Sequence, residues 1–90
     1  MPRKQKELQS KKGEQITPNL AFAIVLRQRR NELGLKQEDL EDDDGIDRSY
    51  ISKLELGKNQ VCLKNFISIA KKLNTTPELL MKDVMKKLSE

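Results

Sequence analysis

Histidine is absent from this chain of 90 residues, cysteine occurs once, at Cys62, and tryptophan not at all; Phe22, Tyr50 and Phe66 are its aromatic residues. Each scarcity closes a class of chemistry. Without histidine or a second cysteine there is no disulfide, no zinc site of the Cys/His kind, and no Ser-His or Cys-His nucleophile. No Gly-rich phosphate loop and no paired-carboxylate pocket with a basic partner stands out either, so neither an enzyme nor a cofactor is expected. The lone thiol suits a reducing compartment and reads as a small hydrophobe between Val61 and Leu63. Long apolar runs are missing too. The longest, Leu20 to Leu26, falls far short of the about 20 residues that span a bilayer, and no signal-peptide apolar stretch follows the basic start. A soluble, cytoplasmic chain with no membrane contact is the expectation. At this length roughly two thirds of the unfolded surface can be buried, enough for one core and no interdomain cleft.

What is present is charge, arranged in blocks. Eighteen Lys and Arg against fourteen Asp and Glu leave +4. Residues 1–36 hold nine bases and three acids, residues 37–47 seven acids and no base, and residues 48–90 nine bases and four acids. Two basic blocks therefore flank an acidic one, a distribution more telling about a polyanionic partner than the modest net figure.

Residues 1–16 lack apolar periodicity and read as a flexible basic arm, either a solubilising tail or a contact for nucleic acid. From residue 17 to 90 the pattern is helical throughout, with no period-two alternation, and predicts an all-α bundle of five helices. The first runs from Pro18, capped by Thr17, to about Leu33, with Phe22, Leu26, Arg30 and Leu33 inward and Gly34 as its stop. The second covers residues 36–44 with Leu40 inward. Asp47 then caps a third helix reaching about Leu56, with Ile51 and Leu54 inward and Gly57 closing it. Residues 63–73 form a fourth, burying Phe66, Ile69, Ala70 and Leu73, with Asn74 as a left-handed stop. Thr76-Pro77-Glu78 opens the fifth.

Two short helices joined by a tight turn at Gly45, Ile46 and Asp47 have the sequence form of a helix-turn-helix, a device that displays its second helix for insertion into a major groove. Ile46 plugs the angle between them, and Ile51 and Leu54 anchor the displayed helix from below. Its outer face then carries Arg48, Ser49, Ser52 and Lys53.

On Leu26-Arg27, Arg30, Gly34-Leu35, Gln37-Glu38-Asp39-Leu40, Arg48-Ser49-Tyr50-Ile51-Ser52-Lys53-Leu54-Glu55, Gly57-Lys58, Ile69-Ala70-Lys71-Lys72-Leu73 and Thr76-Pro77-Glu78-Leu79-Leu80, the chain resembles the Cro and lambda-repressor-type (XRE-type) helix-turn-helix domain of bacterial and phage regulators. The resemblance spans about residues 20–80. Within that group Asp47-Arg48-Ser49-Tyr50-Ile51-Ser52 most resembles the controller proteins of restriction-modification systems.

The resemblance implies a transcriptional regulator that binds double-stranded DNA. By position it assigns base contacts to Arg48, Ser49, Ser52 and Lys53, with Arg48 foremost because its planar fork matches guanine N7 and O6. It assigns backbone contacts to Gln37, Lys58, Asn59 and Gln60. Tyr50 either sends its hydroxyl to a phosphate or only fills a groove. Arg27 and Arg29 join the basic DNA-facing set, whereas Arg30 and Glu55 correspond to an internal ion pair.

One stretch departs from the pattern: Glu41 stands where a small residue is usual, and Glu41-Asp42-Asp43-Asp44 would place four like charges at a helix C-terminus, which the helix dipole disfavours. That run either faces away from DNA or meets a protein partner. The second option defines an alternative function, a protein-interaction module such as an antitoxin or a polymerase-contacting factor, and makes RNA polymerase a candidate partner. On the last helix Leu80, Val84 and Leu88, with Met81 and Met85 alongside, form an apolar stripe that predicts a homodimer on a pseudo-palindromic operator; its other reading is packing against the first helix. Action at the nucleoid follows from the DNA-binding expectation.

Overall fold

Caps written into the sequence set the helix boundaries in the computed structural model, which describes residues 16–90. Helix α1 (Pro18–Glu32) opens on Thr17, whose Oγ1 accepts the Leu20 N–H at 3.1 Å, with Pro18 placed where no helical N–H is needed. Asp47 opens α2 (Arg48–Glu55), its Oδ1 accepting the Tyr50 N–H at 2.8 Å. Helix α3 (Leu63–Lys72) starts after Cys62 without a side-chain cap, and α4 (Pro77–Ser89) repeats the α1 pattern, Thr76 Oγ1 accepting the Leu79 N–H at 3.1 Å. The first three helices close alike. The N–H groups of Leu35, Lys58 and Thr75 donate back to the carbonyls of Arg30, Lys53 and Ala70 at 3.0 to 3.1 Å, a closure that needs a left-handed residue just before the donor. Gly57, at φ 74°, supplies it after α2, and Asn74, at φ 58°, does so after α3 as its sequence position predicts.

The second predicted helix is the main departure. Instead of a helix over residues 36–44 there is a single 3-10 turn, Gln37–Leu40, leaving four α-helices among the described residues where five are expected. The acidic run itself stops the helix. Glu41 is already extended (φ −70°, ψ 152°), and Asp42 Oδ1 accepts the N–H groups of Asp44 at 2.8 Å and Ile46 at 3.2 Å. A carboxylate that bonds its own following backbone offers the chain an alternative to helix. The unfavourable dipole interaction expected at a helix C-terminus consequently does not arise.

The core is built mainly by α1 packed on α2 and α4, with α3 against α4. Leu26, Leu40, Ile46, Ile51, Leu54, Ile69, Leu73 and Leu80 have essentially no exposed surface, and Phe22 meets Phe66 with ring centroids 5.5 Å apart and tilted by 50°, a favourable aromatic geometry. Ile46 is the buried plug that its place in the turn predicts. Leu33 is not inward: it lies beyond the last residue of α1 and is 44% exposed. Ala21, Ala23 and Val25 are buried instead, so α1 covers a wider face than the predicted stripe. Of the expected basic arm, all but Ile16 lies outside the described residues, and Ile16 packs on the core. No helix among the described residues is long and apolar enough to cross a membrane.

The stripe expected to pair two copies is largely internal. Leu80 and Val84 are buried in this chain's own core, and Leu88 is half-buried against it. Leu80 and Val84 thus pack within this chain as the other reading of the stripe expects, although Val84 also borders an apolar groove with Met81, Met85 and Leu88. The apolar residues that α4 leaves outside are Leu79, Met81 and Met85, the last 54% exposed.

Candidate nucleic-acid interface

Two acids secure the N-terminus of α2. Besides the Asp47 cap, Glu41 Oε2 accepts the Arg48 N–H at 2.8 Å, so a side chain from the 3-10 side of the turn reaches across and fixes the start of the displayed helix. In the sequence Glu41 stands out only as a departure from the family pattern. Its role depends on a loop that brings residues 41 and 48 together, and no periodic signal marks such an approach. Beneath α2, Ile51 and Leu54 are buried as expected. Above it, Arg48, Ser49 and Lys53 are exposed, and among the described residues neither Arg48 nor Lys53 forms an ion pair. Three of the four predicted base-contacting residues thus share the open face of one rigid helix.

Ser52, the fourth, lies one turn on from Arg48 but is less open. It is half-buried and lines a small cleft with Arg27, Arg30, Gln37, Glu55 and Leu56. At the back of that cleft lies the ion pair expected between Arg30 and Glu55. Arg30 Nε and Nη2 donate to Glu55 Oε2 at 2.6 Å and Oε1 at 3.0 Å, while Nη1 donates to the Leu35 carbonyl at 2.8 Å. The hydrogen bond to Glu55 raises the Arg30 pKa above its ordinary value, outweighing a partial desolvation that lowers it. Gln37 joins the pair, its Nε2 donating to Glu55 Oε1 at 3.1 Å. The predicted backbone-contacting amide is therefore partly engaged inside the protein, with one N–H left over.

Tyr50 is half-buried and its hydroxyl accepts from Asn65 Nδ2 at 3.0 Å, which ties α2 to α3. Lys58, Asn59 and Gln60 are exposed on the loop after α2, and Gln60 also borders an apolar groove formed by Phe22, Val61, Phe66, Met81, Met85 and Leu88. Arg29 leaves the basic set: its Nε donates to Asp83 on α4 at 2.8 Å. Neither Asn65 nor Asp83 could be singled out from the sequence, since each partner lies on a different helix at no fixed spacing. Asp42, holding two backbone N–H groups of the turn, keeps its carboxyl below the ordinary carboxylate range, chiefly through the Asp44 N–H.

A tight turn between a short 3-10 segment and a capped helix with an open polar face defines a helix-turn-helix protein. The helix-turn-helix family model matches residues 26–80, and the chain belongs to that family. Similar proteins within it include controllers of restriction-modification. The chain is 39% identical over 66 residues to Control protein C.SmaI of Serratia marcescens, covering 72% of this chain and 79% of that protein. It is similar to the restriction-modification controller protein C.Esp1396I, solved as a tetramer with its natural 35 base-pair operator, at 25% identity and a TM-score of 0.74 over 83% of this chain and 99% of that one. The controller C.AhdI from Aeromonas hydrophila is 37% identical with a TM-score of 0.63, covering 69% of this chain and 90% of that one. The XRE-type resemblance and the all-α fold read from the residues are both borne out.

Proposed function

We propose that this chain is a sequence-specific DNA-binding transcriptional regulator that acts as a homodimer on a pseudo-palindromic operator, in the manner of a restriction-modification controller. The observation that carries the reading is α2 itself. It is fixed at its N-terminus by two carboxylates, seated on Ile51 and Leu54, and carries Arg48, Ser49 and Lys53 outward without competing partners among the described residues. Arg48 is the base reader, able to donate two bonds to a guanine, and Lys53 reaches the same groove one turn on. Lys58 and Asn59 hold the backbone from the following loop, Gln37 contributes its remaining amide N–H, and Gln60 stands at their edge. The Tyr50 hydroxyl still has a proton to donate toward a phosphate while it accepts from Asn65.

Two copies are needed because one such module buries too little DNA surface for tight specific binding. The exposed Met81 and Met85, beside the apolar groove bordered by Phe22, Val61 and Leu88, offer the second copy a surface. Family and fold are those of a regulator rather than a catalyst, and the reading places the chain in the cytoplasm at the nucleoid. The alternative of a module recruiting proteins through its acidic segment loses ground. Glu41 and Asp42 are spent on the chain's own backbone, which leaves Glu38, Asp43 and Asp44 outward for a partner such as RNA polymerase.

Fluorescence anisotropy of the full chain against genomic fragments at two salt concentrations tests the reading. A preferred site whose affinity falls steeply with salt is expected; no preference among fragments, or binding indifferent to salt, would remove it.

A further inference from the structure

Two carboxylates meet the N-terminus of α2, and capping requires only one of them. Asp47 fills the cap position, its Oδ1 accepting the Tyr50 N–H, and the Arg48 N–H, on the exposed first residue of the helix, could be satisfied by water. Glu41 nevertheless takes that N–H at 2.8 Å through Oε2. The bond therefore fixes the carboxylate as much as it fixes the helix. The backbone of Glu41 is held as well: its N–H donates to the Glu38 carbonyl at 3.2 Å, and the Asp42 N–H that follows donates to the Ile46 carbonyl at 2.9 Å. The second oxygen, Oε1, has no hydrogen-bond or ion-pair partner among the described residues, and the side chain is exposed. A tethered acceptor is thus presented beside the backbone that carries Arg48, with little side-chain freedom left to lose on binding.

A helix-turn-helix sends the N-terminal residues of its displayed helix to the base edges of the major groove. An anionic acceptor discriminates sharply there. The cytosine amino group donates to it, whereas guanine N7 and O6 and thymine O4 turn lone pairs toward it, and adenine places its N7 lone pairs beside its amino group. We propose that Glu41 Oε1 accepts from the N4 amino group of one cytosine in each half-site, beside the guanine read by Arg48. The proposal rests on the DNA-binding reading above and deepens it by adding a base reader that lies outside the displayed helix. Arg48 and Glu41 carry opposite charges, so each rejects the base that the other accepts. The carboxylate is also repelled by the phosphates, which makes it a device for discrimination more than for affinity. The small residue usual at this position would leave that cytosine unread.

Anisotropy titration of the full chain locates the contact on two sets of operator duplexes. One set bears every single substitution in a half-site; in the other, deoxyzebularine, the cytosine analogue that lacks the amino group, replaces each cytosine in turn. The analogue should weaken wild-type binding about tenfold at one cytosine per half-site, the worth of one hydrogen bond to a charged acceptor. Glu41→Ala should lose that difference and bind unrelated duplexes no less tightly than wild type. Glu41→Gln keeps an oxygen for the Arg48 N–H and presents amide N–H groups in place of Oε1. Its preference at that position should move from cytosine to guanine or thymine, a change that loosening of the helix alone would not produce. The proposal is overturned if Glu41→Ala keeps the wild-type ratio between cytosine and its analogue at every position, if it weakens all duplexes by one factor, or if Glu41→Gln keeps the wild-type preference for cytosine. A wild-type chain with no preferred duplex would instead overturn the DNA-binding reading beneath it.

Discussion

Replacing Glu55 by Ala should destabilise the domain by about 3 kcal/mol. Its side chain is only 5% exposed and that of Arg30 13%, so both charges sit largely out of water. The carboxylate accepts two bonds from Arg30 and one from Gln37. Removing it strands three donors and leaves the guanidinium with only the Leu35 carbonyl. Breaking a buried pair from one side costs about 3 to 5 kcal/mol. The lower end applies because Arg30 keeps that carbonyl and the adjoining cleft admits solvent. At about 0.05 to 0.15 kcal/mol per residue of total stability, such a loss is a large fraction of what a domain this size possesses, and the melting temperature should drop by about 12 to 24 °C. Urea titration followed by circular dichroism reads the change directly. Glu55→Gln, which keeps one acceptor oxygen, should fall between wild type and Glu55→Ala. The double replacement Arg30→Met with Glu55→Met should lose far less than the sum of the single changes, because no uncompensated charge remains. A Glu55→Ala cost below about 1 kcal/mol, the range of an exposed pair, would refute the claim that this network ties α1, the 3-10 turn and α2 together.

Three further outcomes follow from the turn and from α4. Asp42 has a depressed folded-state pKa, so its contribution is fully present above the ordinary aspartate pKa and disappears as pH falls through the folded value; the stability gap between wild type and Asp42→Asn, followed by thermal melts, should therefore close below about pH 4, and a gap that widens on acidification would contradict the turn's geometry. Gly45 sits at φ 108°, a conformation that costs a residue with a Cβ about 1 to 3 kcal/mol, so Gly45→Ala should lower the urea midpoint, whereas an unchanged midpoint would mean the turn relaxes freely. Sedimentation should find wild type dimeric and the double variant Met81→Asp, Met85→Asp monomeric but folded, while Leu80→Asp unfolds; a double variant that remains dimeric would place the interface elsewhere.

Residues whose role is settled by local chemistry were legible in the sequence. Thr17, Asp47 and Thr76 cap as expected because an N-cap needs only a short oxygen-bearing side chain at the right offset. Asn74 and Gly57 stop helices for equally local reasons. The inward faces of α2 and α3 follow from periodicity. The acidic run is not legible as a turn, because composition cannot distinguish a carboxylate that repels a helix end from one that folds back on its own N–H groups, as Asp42 does. The Leu80 and Val84 stripe could not be assigned either, since the same apolar spacing serves a core or a dimer and only the position of α1 decides between them. At the candidate site, the outward placement of Arg48, Ser49 and Lys53 was readable, whereas the contacts of Glu41 with the Arg48 N–H and of Gln37 with Glu55 were not, being products of tertiary approach.

The division of labour on and beside α2 is the claim on which the account turns, and base-resolved operator titration tests it most directly. Against duplexes bearing every single substitution in one half-site, Arg48→Ala should lose about 1 to 3 kcal/mol of discrimination at one base pair. Under the same conditions Lys58→Ala should weaken all duplexes alike and lower the salt slope by about 1 per subunit. An Arg48→Ala variant that keeps the full base preference of the wild type, or a Lys58→Ala variant that shifts it, would contradict the account.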